Sequence, residues 1–567
     1  MIWFQANLSE LYMDEKIRLF ALGGLDEEGK NCYCLEIDDE IYILDCGVRD
    51  PDKTMPGVDY VIPRFDYLVE NKSRIKAYFL THGHDDCIGA LSYVYSEAPA
   101  PIYCSKVTYA MLDMFTKHIK KDIKFDVHIV EPTSNFKVGK RDISFFHTAH
   151  NIAGSSGVSI STSLGNIVFM SDFVVENAAS PSYLNDMNAI AKIAERPTLA
   201  LLSESIYAGR PGYTAPLYKL TPHIEETIKN AEGRVFISIF SNDLYNVSEL
   251  IGLAIANNKK IICYDESAAS ILATLQACNE LLIPRENYAS LDDILRVRDQ
   301  DTVILMMGFG SRLFRKIALL ASGQNEDKRI KLKPTDTFII ASMSDDNSEI
   351  EYTDAADELF RSGCHVDLIS KKRFLRMHAS EEDLKMMVSL LKPKYYIPVR
   401  GFYKDLLHNG MLALSMGVNL NHQNVFVMEN GSTVTITNAG AKMDADVITH
   451  GDLLIDGEGI GDVSKQVLED RAKLAEGVVL LSLTIDKKVR KIIAGPDIQM
   501  RGFLFSREAE TVGKEISKVF LSTVGEFLEK PIYNSNEMKQ NVYERCLRVI
   551  RRSTGKEPMV VPLIIEI

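Results

Sequence analysis

The residues most able to do chemistry sit in one short run, His82-Gly83-His84-Asp85-Asp86, directly after the apolar stretch IKAYFL. Two imidazoles two residues apart at a strand end, with a carboxylate two residues further on, can converge on a divalent cation. The same kind of residue recurs at later strand ends. His150 follows SFF within HTAHNIAG, and Asp172 closes NIVFM. Layered α/β proteins place their active sites on loops at strand ends. Taken singly, each histidine reads as a surface or satisfied side chain. Their ordered recurrence at strand ends turns the balance toward a metal centre.

The elements that must position these residues read as several domains. At 567 residues the chain exceeds what one hydrophobic core supports and should divide into about three. An apolar fraction of 46% and a charged fraction of 25% exclude a disordered or fibrous chain. No apolar run reaches the roughly 18 residues that span a bilayer, and the N-terminus lacks a basic start followed by a long apolar run. Nine cysteines at scattered spacings make no disulfide framework. The expectation is a soluble, cytoplasmic protein with no membrane association. A net charge of −14 argues against indiscriminate coating of nucleic acid, although binding depends on a local groove rather than on the total. The basic clusters Lys328-Arg329-Lys331-Lys333, Lys371-Lys372-Arg373-Arg376 and Arg551-Arg552 read first as solvated faces.

From about Ile17, short strands that are apolar throughout (NCYCLEI, EIYILDCG, RIKAYFLTHG, NIVFMSDF) imply sheets covered on both faces. Between about 215 and 370, helices and strands alternate: HIEETIKNAEG then RVFISIF, VSELIGLAIANN then KKIICYD. EEDLKMMVSLLK (381–392) predicts an amphipathic helix, followed by a strand at KYYIPV. VTITNAGAKM, from about 434, reads as a short-strand linker. A last α/β alternation of roughly 100 residues begins near 463.

At this point the chain resembles a known family. The HxHxD loop followed by a strand-end histidine and a strand-end aspartate looks like the metallo-β-lactamase fold. From about Ile17 to the C-terminus, GGLDEEGKNCYCLEIDDEIYILDCG, MPGVDYVIPRFDYLVENKSRIKAYFLTHGHDD, LKPKYYIPVRGFY and the closing RRSTGKEPMVVPLIIEI resemble ribonuclease J, of the β-CASP group of nucleic-acid-processing metallohydrolases. The resemblance implies an α/β protein: a metallo-β-lactamase αββα sandwich with an inserted β-CASP domain and a small α/β C-terminal domain. The corresponding boundaries are an N-terminal extension at 1–12, the sandwich at 13–214 and 373–440, the β-CASP domain at 215–372, a linker at 441–462 and the C-terminal domain at 463–567.

The resemblance also implies site roles. Two metal ions, typically zinc and alternatively Mn2+ or Mg2+, would activate water against a phosphodiester. His82, His84 and His150 match the first ion's ligands, Asp86 a ligand of the second, and Asp172 the bridging residue. Glu204 in LLSESIYAGRPG matches the acidic β-CASP residue, and His378 in RMHAS the histidine expected to touch the scissile phosphate. Two positions depart from the family pattern, and both fall on the second metal. Cys87 stands where the HxHxDH loop has its last histidine, and Arg400 in IPVRG stands where the family has another. A thiolate can bind zinc. An arginine has no lone pair to give, keeps its charge and repels a cation. It can hold a phosphate, but it cannot lower the pKa of water as zinc does. The expectation is one occupied metal site, a doubtful second, and weak hydrolysis.

The phosphate-cradling loops depart as well. MMGFGSRLFRKIALLASG replaces a TGSQGEP-like loop, and Phe374, Leu375, Arg376 and Met377 replace a small-residue stretch ahead of His378. The bulky side chains would crowd main-chain N–H groups, while Arg376, Ser241 and Asn242 are candidate phosphate contacts. The implied substrate is single-stranded RNA with a 5′ monophosphate, processed exo- and endonucleolytically in mRNA decay and rRNA maturation. The missing ligands make the chain look like the degenerate second paralogue found in some Gram-positive bacteria. The alternative is therefore a non-catalytic partner of an active ribonuclease J paralogue, in a homo- or hetero-oligomeric dimer or tetramer. A small-molecule β-lactamase is a distant third, since it would have no use for the inserted and C-terminal domains.

Overall fold

The computed structural model describes residues 15–131, 134–176, 179–215, 217–344, 347–372, 374–457, 459–460, 465–502 and 506–567. The extension expected at 1–12 and Arg373 of the second basic cluster lie outside the described residues. The chain forms two compact units, one of residues 1–50 and 60–453, the other of 51–59 and 454–567.

In the first unit two sheets enclose one core. The first sheet has eight strands in the order Gly440–Asp444, Thr433–Thr437, Ile17–Gly23, Cys32–Ile37, Glu40–Leu44, Ile75–Phe79, Ile102–Cys104, Val127–Ile129. The second has six, in the order Tyr395–Val399, Thr198–Glu204, Gly165–Phe169, Ser156–Thr162, Arg141–His147, Asn135–Val138. Leu35, Tyr42 and Phe79 of the first sheet meet Phe145, Phe169, Leu202 and Ile397 of the second in a single cluster. The residues between them on the second sheet, Phe146, Val168 and Leu201, turn to the other face and pack against Leu384, Met387 and Val388 of the helix Glu381–Leu391. Side chains alternate along a strand, so burial on both faces is why these strands read as apolar throughout.

Thr198–Glu204 and Tyr395–Val399 are parallel neighbours, with Glu204 opposite Val399. The α/β unit between them in sequence is therefore an insertion at a strand junction. Its five strands are all parallel, in the order Lys260–Cys263, Thr302–Gly308, Val235–Phe240, Thr337–Ile340, His365–Leu368.

The reading of VTITNAGAKM as a linker is corrected. Thr433–Thr437 pairs with Ile17–Gly23 and Gly440–Asp444 pairs with Thr433–Thr437, so both extend the first sheet. Val434 and Ile436 are fully buried in the common core. The pairing joins the two ends of the unit, and local composition does not reveal so distant a partner.

In the second unit Val478–Asp486 lies between antiparallel Lys491–Arg501 and parallel Met559–Glu566. Val479, Leu481, Leu483 and Ile485, on one face of the central strand, pack under Ile516, Phe520, Val524, Val542 and Ile550 of the helices Ser506–Leu528 and Ser535–Thr554.

Candidate metal centre

The strand ends of the sandwich bring the predicted residues together. Ile75–Phe79 runs into the loop carrying His82 and His84, and a four-residue helix, Asp85–Ile88, carries Asp86 and Cys87. That helix is laced to the segment following the neighbouring strand Glu40–Leu44, with Cys46 N–H donating to the Cys87 carbonyl at 2.7 Å and Val48 N–H to the Asp85 carbonyl at 2.9 Å. The approach requires Gly47, because a Cβ there would lie 1.6 Å from the Asp86 carbonyl oxygen. Three non-glycine residues at strand ends around the site, Asp45, Ser171 and Arg400, adopt the left-handed region at φ 59°, 56° and 58°. Such strain persists where surrounding structure fixes it, and it gathers at functional sites.

His82, His84, His150 and Asp172 form one cluster whose ligand atoms all lie within 4.8 Å of one another. Asp172 Oδ2 is 3.5 Å from His82 Nε2 and 3.4 Å from His150 Nε2, and His84 Nδ1 is 3.3 Å from His150 Nε2. A tetrahedral ion bonded at roughly 2.0–2.1 Å needs donor separations of about 3.4 Å. Both carboxylate oxygens of Asp172 are buried without a hydrogen-bond partner among the described residues. These four side chains fit a divalent cation.

The remaining nitrogens are braced. His82 Nδ1 meets Thr81 Oγ1 at 2.9 Å, and Thr81 is in turn held by Asp45, which accepts from Thr81 N–H at 2.8 Å and from its hydroxyl at 2.9 Å. His84 Nε2 donates to the Asn242 carbonyl at 3.0 Å, and His150 Nδ1 to the Met377 carbonyl at 2.7 Å. Burial pushes His82 and His150 well below the ordinary histidine value and His84 to about 4, so all are neutral ligands at pH 7. Burial raises Asp172 to about 7, with Arg400 opposing the shift.

On the other side of Asp172 the arrangement differs. Arg400 Nη2 donates to Asp86 Oδ2 at 2.7 Å and Nη1 to Cys87 Sγ at 3.0 Å, while Nε lies 2.7 Å from Asp172 Oδ1. The guanidinium fills the space on which Asp86, Cys87 and Asp172 converge. Burial raises the Cys87 thiol well above its usual value in spite of Arg400, so the sulfur is no thiolate. Burial opposes the charge on Arg400, but the carboxylates of Asp172 and Asp86 hold it firmly cationic. A second metal does not fit among these residues as they stand.

Glu204, fully buried, holds His378: its Oε2 is 2.8 Å from His378 Nδ1, and its Oε1 accepts from Phe173 N–H at 2.7 Å and Ala379 N–H at 3.1 Å. Burial moves Glu204 up to about 8 and His378 down to about 4. Ser241 is buried, with its N–H on the Gly308 carbonyl at 3.0 Å, and Asn242 reaches the centre through its main chain. The side chains of Phe374, Leu375 and Met377 are buried in the protein, while Arg376 between them is exposed and pairs with Glu28 at 3.5 Å. Members of each basic cluster are paired on the surface: Arg329 with Asp327 and Asp292, Lys333 with Asp299, Lys371 with Glu349, Arg551 with Glu557. Asp45, Thr81 and Asn31, whose amide donates to Asp86 Oδ2 at 3.0 Å, escaped the sequence reading. A lone signal existed for Asp45, a polar residue closing the apolar strand EIYIL.

This fold is that of the metallo-β-lactamase superfamily, whose family model matches residues 25–190. The models "Ribonuclease J, beta-CASP domain" and "Ribonuclease J C-terminal domain" match residues 232–349 and 466–567. Ribonuclease J 2 of Staphylococcus epidermidis RP62A is 32% identical over 557 residues, 98% of this chain and 99% of that protein. Ribonuclease J2 of Bacillus subtilis 168 is 33% identical over 554 residues, again 98% and 99%. A solved structure of a protein of unknown function from Enterococcus faecalis V583 shares the fold, with a TM-score of 0.51 and 14% identity, covering 74% of this chain and 100% of that one. The chain belongs to the ribonuclease J family of RNA-processing metallohydrolases. Among the described residues no helix is long and apolar enough to cross a membrane.

Proposed function

We propose that this chain is a ribonuclease J with low turnover of its own, acting on single-stranded 5′-monophosphorylated RNA in the cytoplasm. It would work 5′-to-3′ and also endonucleolytically, in mRNA decay and rRNA maturation. The observation that carries this reading is the Arg400 guanidinium on Asp86, Cys87 and Asp172, beside an intact cluster of His82, His84, His150 and Asp172. Zinc suits the neutral imidazoles and single carboxylate of that cluster. An ion held there supplies Lewis-acid polarisation and a more acidic water. The protein's own groups supply the rest. Glu204, kept protonated by burial, donates from Oε2 to His378 Nδ1, which leaves the hydrogen on Nε2 for a phosphoryl oxygen. Arg400 adds permanent positive charge where a phosphodiester would accumulate negative charge. Asp86 is spent on neutralising Arg400, and Ser241 and Arg376 would take further phosphate oxygens. Without a second ion the site loses one source of charge neutralisation, so hydrolysis is slow.

The same guanidinium supports a second reading, in which the chain serves chiefly as the partner of an active ribonuclease J in a dimer or tetramer. Metal content and hydrolysis of a 5′-monophosphorylated RNA, measured on wild type and His82→Ala, test the first reading. The expected result is one ion per chain and slow hydrolysis, both lost in His82→Ala. Two ions per chain with rapid turnover would overturn it. Mixing with an active ribonuclease J tests the second: a changed rate or cleavage pattern that His82→Ala leaves intact supports it, and the absence of both complex and effect removes it.

A further inference from the structure

A neutral imidazole carries one N–H and one lone pair, and a carbonyl oxygen only accepts. His84 Nε2 faces the Asn242 carbonyl and His150 Nδ1 faces the Met377 carbonyl, so those nitrogens hold the hydrogens. The lone pairs are thereby left on His84 Nδ1 and His150 Nε2, the two atoms that lie 3.3 Å apart inside the centre. Each brace fixes both the tautomer and the ring orientation of its ligand.

Neither carbonyl comes from the loop of the histidine it braces. Asn242 follows Val235–Phe240, a strand of the inserted α/β unit. It is held between the Ser241 N–H on the Gly308 carbonyl, at 3.0 Å, and the Tyr245 N–H on the carbonyl of Asn151, at 2.8 Å. Met377 lies on the segment that returns from the inserted unit to the sandwich, anchored by the Leu375 N–H on the Leu217 carbonyl at 3.1 Å. By contrast His82 is braced by its own neighbour, Thr81. Two of the three metal-facing histidines thus depend on main-chain groups that lie outside the metal-binding loops.

We propose that the Asn242 loop and the Met377 segment set the affinity of the first centre, so that metal occupancy and the seating of these two loops form one linked equilibrium. The proposal rests on the reading that His82, His84, His150 and Asp172 hold a divalent ion. Coupling of this kind is reciprocal: whatever factor the seated loops contribute to metal affinity, the metal returns to the loops. RNA that contacts Ser241 or Arg376, beside the two carbonyls, shifts the same equilibrium and changes how tightly the metal is held.

The test is hydrogen–deuterium exchange on the full chain, with and without saturating zinc, together with zinc affinity by chelator competition. Zinc should slow exchange about tenfold in the amides of 241–247 and 375–379 as well as around 82–87, 150 and 172. Zinc binding with protection confined to the ligand loops would overturn the coupling while leaving the metal centre standing. Failure to bind zinc or manganese at all would overturn the metal centre and the coupling with it. Asn242→Gly keeps the carbonyl and frees its backbone. It should weaken zinc binding about tenfold, and an affinity equal to wild type, in a variant whose 241–247 exchange has quickened, would also sink the proposal.

Discussion

The two sides of Asp172 hold the same kind of charge by different means. On one side Oδ2 faces His82 Nε2 and His150 Nε2, a set of bare donors arranged for a cation. On the other, Oδ1 faces Arg400 Nε, and Asp86 and Cys87 close around the same guanidinium. A buried carboxylate that is to stay ionised gains most from a positive partner, and either an ion or an arginine can be that partner. Only the ion can also offer open coordination to water. The comparison separates two demands that a dinuclear centre ordinarily meets together: neutralising buried acids, which the fold needs, and activating water, which the reaction needs.

Rebuilding the second half would sharpen this most. Cys87→His with Arg400→His restores two neutral donors beside Asp86 and Asp172, and histidine is among the non-glycine residues that tolerate the φ of 58° at position 400. The double variant should bind two ions per chain in place of one, and hydrolyse 5′-monophosphorylated RNA about 100-fold faster. Two ions with an unchanged rate would mean that the phosphate loops, not Arg400, limit the enzyme, and an unchanged ion count would mean that Cys87 and Arg400 are not what excludes the second ion. Removing the arginine without replacing its charge should instead cost stability. Arg400→Met leaves Asp172 buried and Asp86 partly buried with no cation, a loss of about 3 kcal/mol in urea unfolding of the metal-free chain. A loss below about 1 kcal/mol would show that Arg400 is no substitute for the ion.

Much of this contrast is legible in the amino-acid sequence. His82, His84, His150 and Asp172 stand at strand ends in a recognisable order, and Cys87 and Arg400 interrupt it at two places. What sequence could not give was direction. Nothing in FLRMH tells that Phe374, Leu375 and Met377 turn inward while the Met377 carbonyl turns to His150, because a main-chain contact leaves no mark on residue type. Thr433–Thr437 reads as a linker for a related reason: its partner, Ile17–Gly23, lies at the far end of the unit. Asp45 escaped because its role is indirect, passed through the hydroxyl of Thr81.

That indirect role gives the smallest and most selective way to perturb the comparison. Thr81 N–H and its hydroxyl both point at Asp45, so the hydroxyl is free to accept the hydrogen on His82 Nδ1. His82 Nε2 is then bare toward the metal position, and a histidine held by such a chain keeps the correct tautomer without the help of any loop. Asp45 also lies 4.0 Å from Arg400 Nη1, too far for a hydrogen bond but near enough to favour its charge. In Asp45→Asn the amide no longer demands both Thr81 donors, the hydroxyl can turn to His82 Nδ1, and the hydrogen moves to Nε2. Zinc affinity should fall about tenfold, with histidine 15N shifts reporting the tautomer change at His82 alone. The guanidinium, held mainly by Asp86, Cys87 and Asp172, should stay in place, so thermal stability of the metal-free chain should barely move. A large stability loss with an unchanged tautomer would assign Asp45 to the arginine side of the pocket, and would make the two sides one network rather than two.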